Sequence, residues 1–255
     1  AWLYDEDRCP SGFAGGLATK EKDYRARYLV FTSRTNAESA SLGNTRLSDA
    51  HTSRSNQGRC IAAYDIILSE DQLLRSCRRI SESDKAEGIK WYAYLESPCE
   101  NPWYNLQTYV NTLDKKAIDR FIEITHEAYK KAVGNDFDTV IPSIFTDEPQ
   151  FIHKTRLHSP DDGGSVILPW TDDLPETYRA AFNEDILELL PFLIWESDGE
   201  QGALARYHYH DHVTERFVEA YADNLGAWCK QNRLMLTGHM MSESSLEGQT
   251  SAIGE

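Results

Sequence analysis

The chain has 255 residues, 40% hydrophobic and 26% charged, a globular composition with length enough to bury a large core. Its formal net charge of −15 argues against nucleic acid or an anionic membrane surface as partner, because both need clustered Lys and Arg. No run approaches the ~18 apolar residues of a membrane span, and neither GxGxxG nor GxxxxGKS/T follows an apolar run, which excludes the common phosphate cradles.

The chain opens "AWLYDED" inside a strand-like run and closes "SAIGE" just after a motif-rich segment, so it reads as a piece of a larger protein with further domains of the same parent. Trp2 to Asp5 is the first expected strand, followed by the turn-rich "CPSGFAGGLAT". Residues 23–100 form an expected β-rich insertion carrying the strands "RYLVFTS", "CIAAYDIIL" and "IKWYAYLE", with a polar exposed loop over 34–59. The five cysteines, Cys9, Cys60, Cys77, Cys99 and Cys229, are widely spaced without a CxxC pair. Together with the absence of Asn-x-Ser/Thr, this favours free thiols and a cytoplasmic setting.

From residue 106 the pattern changes. "LQTYVN" is a strand candidate, and Asp114 is placed to cap a helix reaching Val133, with Gly134 at its stop. "TVIPSIFT" is the next strand. A loop carrying "LPWTDDLPETY" follows, then shorter helices to Ile194 and a long helix over 201–231. The long helix buries Tyr209, Val213, Phe217, Ala220, Leu225 and Trp228, and "RLMLTGH" is a further strand. Repeated strand–helix units with one-sided insertions predict an α/β fold of (β/α)8 TIM-barrel type, incomplete at both ends, with residues 1–255 forming one partial catalytic domain. A doubly wound sheet is the runner-up.

In such a barrel, functional side chains gather where strands end. Three strand ends carry acids or His: Asp5 and Glu6; Asp147 and Glu148 in "SIFTDEPQF"; and His239 with Glu243 in "LTGHMMSES". The bland readings are a helix cap and a solvated acid at 147–148, a loop acid at Glu243 and a core histidine at His239. Pro149 restricts Glu148 to extended geometry, which would aim its carboxyl. Gly238 at a strand end predicts close approach by another group. His208 and His212 in "RYHYHDH" lie four apart, but nothing nearby completes a zinc set, so they are read as a solvated helix face and no metal ligand is assigned. Trp2, Trp103 and Trp170 flank the expected strand ends, where aromatic faces suit sugar C–H faces, although for any one of them ordinary core is the better reading.

"LYDEDRCPSGFAGGLAT", "DRFIEITHEAYKKAVG", "IFTDEPQF", "LPWTDDLPETY" and "WCKQNRLMLTGHMMSESSLEGQT" resemble the body of large glycosyl hydrolases related to glycoside hydrolase family 106, the α-L-rhamnosidases. The resemblance implies a (β/α)8 catalytic barrel, inverting cleavage of α-L-rhamnosides by two carboxylates, a carbohydrate partner, and calcium assistance in some members. On that footing Glu148 is expected to be the general acid and Glu243 the base, with Glu6 a contender. Asp5, Glu6, Asp147, His239 and Trp170 would bind substrate. A retaining glycosidase on a similar barrel and a non-catalytic carbohydrate-binding relative are the alternatives.

Overall fold

A computed structural model describes residues 1–43, Leu47 and 51–254. In chain order the strands are β1 (Trp2–Tyr4), β2 (Arg27–Thr32), β3 (Arg59–Leu68), β4 (Leu74–Ile80), β5 (Ile89–Glu96), β6 (Ser143–Asp147), β7 (Ser165–Trp170) and β8 (Met235–His239). The α-helices are α1 (Asn36–Ser41), α2 (Lys115–Ile124), α3 (His126–Val133), α4 (Leu174–Phe182), α5 (Ile186–Ile194), α6 (Gln201–Phe217), α7 (Asp223–Gln231) and α8 (Leu246–Ala252). Among the described residues, no helix is long and apolar enough to cross a membrane. The chain divides into two compact units: residues 1–26, 98–151 and 213–255 form the first, and 27–97 with 152–212 the second.

The first unit is built on a parallel sheet in the order β1-β6-β8. Its register aligns Tyr4 with Phe145 and Thr237, and Asp147 with His239. α2 and α3 lie between β1 and β6 in the chain, as the crossover of a parallel pair requires. The fold is therefore mixed α/β; of the expected incomplete (β/α)8 barrel, the described residues show no barrel, only three parallel strands in an open sheet. "LQTYVN" is not a strand either; it makes only the isolated bridges Asn101–Gln107 and Arg25–Val110.

The helix expected from Asp114 to Val133 is capped as its sequence suggests, Asp114 accepting from the Lys116 N–H at 3.0 Å, but it breaks at Thr125. The break turns His126 into the core, while Ala128 and Ala132 stay exposed. The long helix is likewise interrupted, by a π-helical turn over Val218–Ala222. Its buried residues Tyr209, Val213, Phe217, Ala220, Leu225 and Trp228 are those expected.

The second unit holds an antiparallel sheet in the order β4-β3-β5-β2-β7. The stretch 27–96 supplies four of its strands; β7 arrives from "SVILPW", inside what the sequence reads as a loop. Pro169 sits there without cost because β7 is an edge strand, whose outward N–H groups need no partner. Phe31, Trp91 and Trp195 anchor the core, with Phe31 stacked on Trp91 at 5.2 Å and Trp195 edge-on to Trp91 at 4.9 Å. The polar loop expected over 34–59 contains α1, which the Thr35–Glu38 capping box starts; residues 44–46 and 48–50 of that loop lie outside the described residues.

His208 and His212 do not face solvent, contrary to expectation. His212 is buried and meets the Thr177 hydroxyl at 2.9 Å, while His208 stacks on Phe182 at 4.2 Å and bonds Glu184 at 3.1 Å. They pack α6 onto α4. No group of three or more His, Cys, Asp or Glu among the described residues is arranged to hold a metal ion.

Candidate active site at the parallel strand ends

The C-terminal ends of β1, β6 and β8 meet within the first unit. Asp5 N–H donates to the Phe145 carbonyl at 3.1 Å, carrying β1 one step past its last paired residue. Glu148 N–H donates to the His239 carbonyl at 3.0 Å, doing the same between β6 and β8. These two bonds bring the acids of two distant sequence segments and the histidine of a third to one rim.

The loop after β1 is folded back over that rim by Glu6. Its carboxylate accepts from the N–H groups of Asp7, Ala14 and Gly15 at 3.1, 2.6 and 2.7 Å. Burial raises the Glu6 carboxyl above its ordinary range, against the downward pull of those three donors. Gly16 is required in the same loop: its φ is +85°, and a Cβ there would stand 2.7 Å from the Tyr104 carbonyl oxygen. Ser11 then joins loop to strand. Its hydroxyl donates to Asp5 Oδ1 at 2.6 Å and accepts from Asp147 N–H at 2.8 Å, and its own N–H donates to the Asp147 carbonyl at 2.7 Å.

Asp5 is wholly buried, and burial pushes its carboxyl up to about 7 although Ser11 and Thr146 hydrogen bonds favour the anion. Its second oxygen lies 4.0 Å from Nε2 of His126, also wholly buried, whose imidazole is held down to about 4 by the same loss of solvent. Asp147 is shared by two neighbours: the Tyr4 hydroxyl donates to Oδ2 at 2.7 Å, and His239 Nδ1 stands 3.9 Å from Oδ1. Glu148 Oε2 accepts from the Cys9 thiol at 2.8 Å. Burial first, then Glu148, pushes that thiol up to about 12.

Glu148 does not adopt the extended geometry expected from Pro149. Its φ is +50°, in the left-handed region. The backbone bond to His239 and the side-chain bond to Cys9 outweigh the pre-proline preference. The close approach expected at Gly238 is real and comes from the neighbouring strand: a Cβ on Gly238 would collide with the Thr146 carbonyl oxygen.

The expected residues thus separate into three positions. Asp147, Glu148 and His239 stand together on the rim, with Asp5 and Glu6 buried beneath and beside them. Glu243 lies on the exposed turn after β8, where its carboxylate accepts from the Met240 N–H at 3.3 Å. Trp170 belongs to the second unit, buried at the end of β7. Beside the rim, a cavity of about 560 Å³ lies at the end of β1, lined by Tyr4, Asp5, Glu6, Leu17, Ile124 and Tyr129.

Tyr4, Cys9, Ser11 and His126 escape sequence reasoning. Tyr4 could have been found, since the residue before two strand-end acids lies one register step from them. Cys9 and Ser11 gave no signal beyond their loop.

No protein-family model and no curated protein matches the chain. Among solved structures it is similar to one described as a rhamnosidase from Novosphingobium sp. PP1Y, at 17% identity and a TM-score of 0.40. The match covers 67% of this chain and 16% of that one, so the chain spans a small fraction of that protein's length.

Proposed function

We propose that this chain carries part of the catalytic centre of a glycoside hydrolase acting on α-L-rhamnosides or related glycosides. The observation that supports it is the convergence of Asp147, Glu148 and His239, with Tyr4 and Cys9, at the C-terminal ends of three parallel strands. That is where parallel α/β folds assemble sites, and the sequence segments involved are those that resemble the rhamnosidase family. In this reading the three strands are an arc of a (β/α)8 barrel. Trp2 on β1 and Met235 on β8, 61% and 62% exposed, mark outer edges that further strands would cover.

Inverting hydrolysis needs a carboxyl that donates its proton to the departing oxygen and a carboxylate about 6.5–9.5 Å away that activates water on the opposite face. Glu148 is assigned the first role and Glu243 the second. Asp147 and His239 flank Glu148 on the rim and bind sugar hydroxyls, while Asp5 and Glu6 hold the loop and strand that present them. Tyr4, by donating to Asp147, fixes which oxygen of that carboxylate remains for substrate.

The test is turnover of an aryl α-L-rhamnoside with Glu148→Gln as comparison. General acid catalysis contributes ~10²–10⁴-fold, so the variant should lose at least about a hundredfold in kcat while keeping sugar binding. A loss smaller than about tenfold removes Glu148 from the role. The anomeric form of the first product, read by proton NMR, separates inversion from retention. A second reading is a non-catalytic carbohydrate-binding relative. It is favoured by the exposed, locally bonded state of Glu243, and sugar binding without turnover would establish it.

A further inference from the structure

Glu148 is held at both ends. Its N–H is fixed to the His239 carbonyl, its backbone is turned into the left-handed region, and its Oε2 receives the Cys9 thiol at 2.8 Å. Its other oxygen, Oε1, has no hydrogen-bond partner among the described residues. Cys9 is itself anchored, since its carbonyl accepts from the Trp103 indole N–H at 2.9 Å and the Arg8 guanidinium lies over that ring at 5.4 Å. The carboxyl is therefore gripped by one oxygen on an anchored loop, with the other left without a hydrogen bond among the described residues.

We infer that Cys9 is a positioning residue for Glu148: its thiol orients the carboxyl so that Oε1 presents the transferable proton to the glycosidic oxygen. The inference rests on the glycosidase reading for its purpose, but the thiol–carboxylate grip is a property of the molecule whether or not turnover occurs. The hydroxyl of serine can make the same donation, whereas alanine cannot. A grip of this kind acts on the reacting geometry and not on sugar affinity.

Two measurements decide it. In the first, alkylation of Cys9 by iodoacetamide at pH 8.5 is followed by peptide mass spectrometry in the folded protein, with Cys60, Cys77 and Cys99 as internal references. Alkylation proceeds through the thiolate, whose fraction changes about tenfold per pH unit of pKa. Removing the neighbouring charge in Glu148→Gln should therefore speed modification of Cys9 by about threefold or more and leave the references unchanged. An unchanged Cys9 rate overturns the grip. In the second, Cys9→Ala should lower kcat for an aryl glycoside about tenfold with KM little altered, and Cys9→Ser should restore most of it. Equal losses in Ala and Ser, or a change confined to KM, would overturn the positioning role. If no glycoside is turned over by the parent protein, the glycosidase reading falls, and the alkylation result alone decides the grip.

Discussion

Replacing Asp5 by Asn should change the shape of the stability–pH curve as well as its height. Asp5 and His126 are both wholly buried, with Oδ2 and Nε2 4.0 Å apart and no hydrogen-bond partner for either atom among the described residues. Burial raises the acid to about 7 and lowers the base to about 4. Folded Asp5 keeps a proton that the unfolded chain releases near pH 4, so its contribution to stability is full below about pH 4 and is lost as pH rises to about 7. Folded His126 refuses a proton that the unfolded chain takes up near pH 6.5, so its contribution is full above that pH and is lost as pH falls to about 4. The two slopes oppose each other over about pH 4–6.5, and the pair together contributes almost no pH dependence there. Asp5→Asn deletes one slope and uncovers the other. At ~1.4 kcal/mol per pH unit over about 2.5 units, the variant's stability relative to the wild type should climb by about 3 kcal/mol from pH 4 to pH 6.5. Urea midpoints at half-unit pH steps, with m-values constant, measure this directly. A difference between variant and wild type that stays level across the interval would refute mutual neutrality of the pair. His126→Gln is the mirror experiment, with stability relative to the wild type falling by about 3 kcal/mol from pH 4 to pH 6.5 and staying level above it.

Ser11→Ala withdraws the donor to Asp5 and the acceptor of Asp147 N–H in one step, leaving the buried Asp5 oxygen and the part-buried Asp147 N–H unpaired; urea unfolding should register a loss of about 2–3 kcal/mol. In the second unit, Arg54 and Glu96 form a buried pair at 2.7 Å, and the Tyr28 hydroxyl also donates to Glu96. Arg54→Ala strands that carboxylate and should cost about 3–5 kcal/mol, whereas Lys115→Ala, whose ion pair with Asp119 has both partners more than half exposed, should cost less than about 1 kcal/mol. Similar losses from the two variants would contradict the assignment of burial as the deciding factor.

The sequence carried the strand ends well, because an apolar run halted by acids is a local signal: β6 and β8 lie in the expected runs "TVIPSIFT" and "RLMLTGH" but start later, at Ser143 and Met235, and β6 ends at Asp147. It carried the edges of the antiparallel sheet poorly. β4 reads "LRSCRRI", polar enough to pass for a loop, since an edge strand buries only one face and Leu74 alone is fully covered. β7 was concealed by Pro169 for the related reason that edge strands tolerate proline. The break at Thr125 was invisible because His126, a residue read as polar, is the one the core takes. The barrel type rested on repetition of strand–helix units, and repetition does not specify how many strands a sheet will hold. Glu148 shows the opposite failure, in which a sound local rule about pre-proline residues yields to two contacts from elsewhere in the chain.

The interrupted long helix had a readable trace. Tyr209, Val213, Phe217, Tyr221, Leu225 and Cys229 are all buried and recur every fourth residue without a three-residue step. At 3.6 residues per turn each such step overshoots by about 40°, so an unbroken α-helix would carry the last of them to the far side. The π turn at Val218–Ala222 works as a gear, absorbing one residue and returning the second half of the helix to phase, so that Tyr221 meets Thr146 behind the strand-end acids. Chain length there is consequently a locked quantity: removing one residue would not shorten the helix so much as spin Leu225, Trp228 and Cys229 away from the sheet. A segment that looks like an ordinary surface helix, tolerant of insertion and deletion, is instead indexed residue by residue to the floor of the candidate site.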